Sequence, residues 1–259
     1  MKSILRFWVW VFLFVGLCVM GTAQAEKSKG QLYFVEECAV KMDAFTDYDA
    51  AIKEIVAHAK KHNYAHSWAT YTTNEMLYYF VYPIESESEI EALFTDWEEM
   101  VAKIGEDKWG ALYERLMKPT EYYKYYEIEH LPAHSYTPGD EATELKETPA
   151  TYWGFCYTKP GHEKSLLEIM GKYVDLYKSK SISEAFESYI VRTGADLPAC
   201  FYVMRGKTFA DLFGKSEKAE EVVGAEAAAL WEKFSSHLRK YEYKLGVFRP
   251  DLSYMPEQQ

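Results

Sequence analysis

The segment Ala111 to Pro138 recurs without a gap 118 residues later, as Ala229 to Pro256. Nine of the 28 positions are identical, among them Ala111/Ala229, Leu112/Leu230, Glu114/Glu232, Tyr123/Tyr241, Tyr125/Tyr243 and Pro132/Pro250. The exit Ser135-Tyr136-x-Pro138 returns as Ser253-Tyr254-x-Pro256. Self-similarity at a fixed offset means a structural unit written twice. Any fold read for the first half must therefore also serve the second.

The elements upstream agree. In the first half, Leu32 to Lys41 reads as a strand, and Thr46-x-x-Asp49 opens a helix as a capping box. Tyr48, Ile52, Ile55 and Ala59 then recur at helical spacing. His66 to Thr72 and Met76 to Tyr82 read as strands joined at Thr73-Asn74. Ser86-x-x-Glu89 opens a second helix with Ile90, Leu93, Phe94, Trp97, Val101 and Ile104 on one stripe, and Tyr122 to Glu129 closes the unit as a strand. The second half repeats the order: strand Thr151 to Thr158, a helix carrying Leu166, Ile169, Tyr173 and Leu176, strands Ser188 to Thr193 and Cys200 to Arg205, a helix of about Ser216 to Ser236, and strand Tyr241 to Phe248.

Each half is thus β-α-β-β-α-β, the ferredoxin-like split unit. The predicted fold class is α+β, with units at 26–138 and 150–259 joined by a linker at 139–149 and packed as a pseudo-twofold barrel. This order and duplication resemble the dimeric α/β-barrel superfamily, which includes cofactor-free monooxygenases of the antibiotic-biosynthesis type, NIPSNAP-like proteins and a haem-binding chlorite dismutase-like group. The resemblance covers residues 26–259 and rests on element order. No family motif is matched, so it transfers no catalytic residue.

The first 25 residues read as a secretory signal: Lys2 and Arg6, an apolar run from Phe7 to Gly21, then Ala23-Gln24-Ala25 before polar Glu26. The run is shorter than the ~20 residues a spanning helix needs. A periplasmic or secreted protein is expected, with no membrane association once the signal is gone. Beyond residue 25, 27 basic residues face 40 acidic ones, which argues against nucleic acid as a partner. Three cysteines remain there, Cys38, Cys156 and Cys200, an odd number without a C-x-x-C pair. All three sit in apolar strands and read as small buried hydrophobes.

The 22 tyrosines all lie beyond residue 25. Tyrosine offers an apolar face and a polar tip, and a Tyr-lined cavity for a small aromatic or amphipathic molecule is the leading functional reading. In the last strand of the second half, Tyr241, Tyr243, Leu245 and Val247 share one face by alternation. That face is expected to point inward. Its first-half counterparts are Tyr123, Tyr125, Glu127 and Glu129, followed by His130 and His134. Glu127, Glu129 and His134 are therefore candidates for proton transfer, with Tyr123, Tyr125 and His130 as ligand contacts. The same side chains turned to solvent would carry no such role. Arg192 and Arg205, among apolar strand neighbours, can clamp an acidic ligand or pair with internal acids. His58, His62 and His66 have metal-like spacing, but Lys60 and Lys61 beside them fit an ordinary helix end, and no metal is expected.

Two enzyme readings stand beside simple binding. One is a cofactor-free monooxygenase or isomerase with a Glu or His base. The other, drawn from the resemblance, is haem binding, for which His237 is the first candidate ligand. Otherwise no cofactor is expected, and assembly into a homo-oligomer stays open. N-terminal sequencing of the exported protein is expected to begin at Glu26; a chain that retains residues 1–25 would contradict the signal reading.

Overall fold

The computed structural model describes residues 30–138, 145–194 and 196–256. The predicted signal and residues 139–144 of the linker lie outside them. The first half runs β1 (Leu32–Val40), α1 (Phe45–His62), β2 (Ala69–Thr73), β3 (Leu77–Ile84), α2 (Glu89–Ile104), α3 (Glu106–Met117), β4 (Thr120–His130). The second runs β5 (Ala150–Thr158), α4 (Glu163–Ser179), β6 (Glu187–Thr193), β7 (Ala199–Gly206), α5 (Phe209–Ser236), β8 (Leu238–Phe248).

The strands close into one barrel in the order β1-β3-β2-β8-β5-β7-β6-β4. Each half contributes four antiparallel strands in ferredoxin-like order, β4-β1-β3-β2 and β8-β5-β7-β6. Two seams join them, β2 to β8 and β4 to β6. Closure leaves no strand edge to protect. It also gives each sheet two buried faces, one toward the lumen and one toward the helices. That is why a strand such as Leu32–Val40 reads as a nearly unbroken apolar run rather than a clean alternation.

The helices follow their stripes. α1 buries Tyr48, Ile52, Ile55 and Ala59 as their spacing predicts. Its capping box does not form: the helix starts one residue before Thr46, with Ala44 at the cap. The expected second helix of the first half is two helices. Gly105, at φ +94°, breaks it between α2 and α3, a conformation that side chains with a Cβ rarely adopt. The second half has no glycine in that conformation there, and α5 runs unbroken for 28 residues.

The repeated Ser-Tyr exits explain closure. After β4 the chain crosses to the second half: Tyr136 forms a two-way main-chain bridge with Phe186, and its hydroxyl donates to the Ile182 carbonyl at 2.8 Å. Ser135 Oγ accepts from the Ser188 N–H at 2.9 Å, and Ser188 Oγ donates to the His134 carbonyl at 2.6 Å. After β8 the chain crosses back with the same contacts. Tyr254 bridges Trp68, its hydroxyl donates to the Tyr64 carbonyl at 2.9 Å, Ser253 Oγ accepts from Thr70 N–H at 2.9 Å, and Thr70 Oγ1 donates to the Leu252 carbonyl at 2.7 Å. Each unit is clasped by the tail of the other.

A buried carbonyl that loses its donor costs about 1–3 kcal/mol. Tyr136→Phe and Tyr254→Phe are each expected to lower unfolding free energy by about that much, read by urea denaturation. Losses below about 0.3 kcal/mol for both would show that the clasps do not hold the barrel.

Candidate functional site

Strand alternation sends the residues of β4 to two different places. Tyr122, Lys124, Tyr126 and Ile128 line the lumen, as do Lys240, Glu242 and Lys244 of β8. Tyr123 and Tyr125 line a cleft under the first-half helices instead. The inward face predicted from the sequence is thus the helix-covered face. The reason is that the helix layer demands the more apolar side of the sheet, while the lumen admits charges that pair with one another.

The cleft lies between the outer face of β1, β3 and β4 and the helices α1, α2 and α3, and encloses about 230 Å3. Its walls are aromatic. Phe34 stacks on Tyr125 with ring centroids 5.4 Å apart, Phe94 meets Phe34 edge-on at 5.7 Å, and Trp97 and Trp109 meet at 6.0 Å. Tyr123, Tyr125, Tyr113 and Phe94 are exposed at the mouth. One carboxylate, Glu36, reaches into this space. It accepts a weak hydrogen bond from the Cys38 thiol at 3.4 Å. Burial raises its pKa above the usual carboxylate range, and the thiol offsets this in part.

The second half has no such group. Glu36 pairs across its ladders with Phe80 and Tyr125; the equivalent position, between Tyr202 and Tyr243, is Gly154. The Tyr202 ring lies where a Cβ on Gly154 would stand, 2.4 Å from it. The hydroxyls of Tyr152 and Tyr202 both meet that of Tyr241, at 2.7 and 2.8 Å. What remains is an apolar cleft of about 170 Å3, bordered by Cys156, Cys200 and aromatic rings.

The other predicted residues are dispersed. Glu129 forms an ion pair with Arg192 at 2.5 Å across the β4–β6 seam. Glu127 lies on the same seam, its pKa raised first by burial and then by Glu87. His130 meets Ser135 Oγ at 3.1 Å and its pKa is lowered by burial. His134 sits in the short turn after β4 and gives its carbonyl to the clasp. Arg205 does face a cavity, the lumen, where it pairs with Glu187 at 3.1 Å. His58 and His62 stack one turn apart, while His66 pairs with Asp96 at 2.9 Å. Among the described residues no group of three or more His, Cys, Asp or Glu is set to hold a metal.

His237 follows α5, and its Nδ1 lies 2.7 Å from that of His162. The lining of the second-half cleft contains no imidazole, so His237 does not reach it as the haem ligand expected from the sequence. Glu36 and Glu37 were missed by sequence reasoning. The signal was visible: two adjacent acids in the middle of the apolar strand Leu32–Val40.

If Tyr202 fills the second-half cleft because Gly154 makes room, Gly154→Ala overpacks it, at about 1–3 kcal/mol. In a Tyr202→Ala background the same change is expected to cost less than about 0.5 kcal/mol, by urea denaturation. Equal costs in both backgrounds would mean the ring is not what Gly154 accommodates.

No protein-family model and no curated protein matches the sequence. Solved structures do match. An anthrone oxidase-like protein superimposes with a TM-score of 0.62 at 10% identity, over 90% of this chain and 96% of that one. A monooxygenase-like protein from Lactobacillus acidophilus NCFM gives 0.51 at 8% identity, over 88% and 97%. A chlorite dismutase variant from Candidatus Nitrospira defluvii, solved with cyanide, gives 0.51 at 10% identity, over 87% and 93%. At such identities the likeness speaks for the fold alone. Together with the closed eight-stranded barrel, it gives this chain the dimeric α/β-barrel fold, with both ferredoxin-like units carried on one polypeptide.

Proposed function

We propose that this protein, exported by its N-terminal signal, binds a small flat aromatic molecule in the first-half cleft and removes a proton from it, with Glu36 as the base. One observation carries the reading: a half-buried carboxylate stands among aromatic rings in one half, and the other half has Gly154 in its place with the Tyr202 ring over it, leaving an apolar cleft. A carboxylate desolvated in this way is a stronger base than one in water. The rings hold a flat substrate against it.

The proton passes from an activated C–H of the substrate to a Glu36 oxygen, and the electron pair of the broken bond spreads into the ring system. Return of the proton at another carbon is an isomerisation. Transfer of electrons to dioxygen is an oxidation, the reaction class suggested by the names of the anthrone oxidase-like and monooxygenase-like neighbours. Both routes share the first step, and Tyr123 and Tyr125 serve as walls of the mouth.

Anthrone, whose central methylene is acidic, is a suitable probe. NMR of its exchange into deuterated water reads proton removal without requiring oxygen. The protein is expected to accelerate exchange, with a rate that rises with pH as Glu36 loses its proton, above the usual carboxylate range. Glu36→Gln should cut the rate about 100- to 10,000-fold. Because a raised carboxyl pKa makes stability fall as pH rises through the window between the unfolded and folded values, the Gln variant should be at least as stable as the parent at pH 7. A rate unchanged in Glu36→Gln would remove the base assignment and leave binding alone.

A further inference from the structure

Glu36 and Glu37 are consecutive on β1, so the sheet itself separates them. Glu36 faces the cleft and Glu37 the barrel lumen, a different cavity of about 790 Å3. That volume is in the range that encloses small organic ligands. The lumen belongs to both halves, yet its chemistry is not duplicated. Glu37 pairs with Tyr79, and the equivalent partner of Phe201 is Phe155. At the other end Glu187 and Arg205 replace Ala69 and Pro83.

Glu37 is buried, at 8% exposure. Its Oε2 accepts from the Tyr126 hydroxyl at 2.5 Å and its Oε1 from Tyr122 at 3.1 Å, with Lys124 Nζ at 3.7 Å. An ionised carboxylate offers about four acceptor positions, so it has room for a further donor. Rings surround it: Tyr79, Tyr126, Trp153, Phe155 and Phe201 all line the lumen. The buried Nε1–H of Trp153 is without a hydrogen-bond partner. The cations of the lining are matched, Lys124 with Glu37, Arg205 with Glu187, Lys240 with Glu242, Lys244 with Glu75. An anionic ligand would find no uncompensated countercharge in this low-dielectric space.

We infer that the lumen is a second binding site, which takes one uncharged aromatic alcohol or phenol, its hydroxyl donating to Glu37 and its ring held among Trp153, Phe155 and Phe201. One ligand binds per chain, because the counterpart of Glu37 in the second half is Phe155. The site stands independently of any activity at Glu36.

The tryptophans report the two cavities separately. Trp153 lines the lumen, whereas Trp68, Trp97 and Trp109 line the first-half cleft. With 2-naphthol as probe and indole N–H cross-peaks as readout, the Trp153 peak is expected to shift and saturate. 2-Methoxynaphthalene, which cannot donate, should bind at least tenfold more weakly by the same peak, as should 2-naphthol to Glu37→Gln. Ala199→Phe, which fills the lumen beside that site, should abolish the shift and serves if Glu37→Gln does not fold. Glu36→Gln should leave it unchanged. A silent Trp153 peak at millimolar 2-naphthol, equal affinity for the methyl ether, or full binding to Ala199→Phe would each overturn the inference.

Discussion

The barrel depends on an exchange of tails. Neither ferredoxin-like unit satisfies the polar groups at its own seam: the carbonyls of Ile182 and Tyr64, and the N–H groups of Ser188 and Thr70, are met by residues from the end of the other unit. Unsatisfied buried groups of this kind are costly, so the two units are stable together rather than apart. The conserved spacing of 118 residues between clasp contacts is the direct imprint of that requirement. The Ser-Tyr exit persists in both copies because each copy must lock the other.

Closure then decides where chemistry can sit. A closed barrel with helices outside has two kinds of interior, the lumen and the space under each helix layer. Every strand serves both, by alternation. Duplication provides two copies of the outer space. In the second half the Tyr202 ring lies over Gly154, three tyrosine hydroxyls bond to one another, and an apolar cleft remains. In the first half Glu36 occupies the equivalent position and shares the cleft lining with aromatic rings. Both copies keep a cleft, but only the first-half copy presents a carboxylate.

The repeat, the order of elements and the helical stripes were legible in the sequence because each rests on local periodicity. Tyr48, Ile52, Ile55 and Ala59 are buried together as their spacing requires. The break at Gly105 was not read, since a lone glycine in a helical pattern does not reveal its φ. The capping box read at Thr46 does not form, because a main-chain turn ahead of it, with Ala44 N–H on the Lys41 carbonyl, leads into the helix at Phe45. The site residues suffered most. Choosing which face of β4 points inward assumed one buried face, whereas closure buries two. Tyr123 and Tyr125 reach a cleft and Arg205 reaches the lumen, but Glu127 and Glu129 lie at the β4–β6 seam, Glu129 with Arg192. Alternation says which residues share a face and is silent on what covers it.

Glu36 and Glu37 show how much one strand step can separate. The two carboxylates are neighbours in sequence, and the thickness of a single sheet divides them. Glu37 is surrounded by tyrosine hydroxyls that donate to it and by a lysine at the mouth. Glu36 has rings and one thiol, and burial dominates its proton affinity. The first environment suits an acceptor that recognises a donor, the second a base that takes a proton. One residue inserted ahead of this pair would exchange the two environments at once. The register of β1 against β3 and β4, unbroken from Leu32 to Ala39, is therefore what assigns each carboxylate its chemistry. That register is in turn held by the closure the clasps provide.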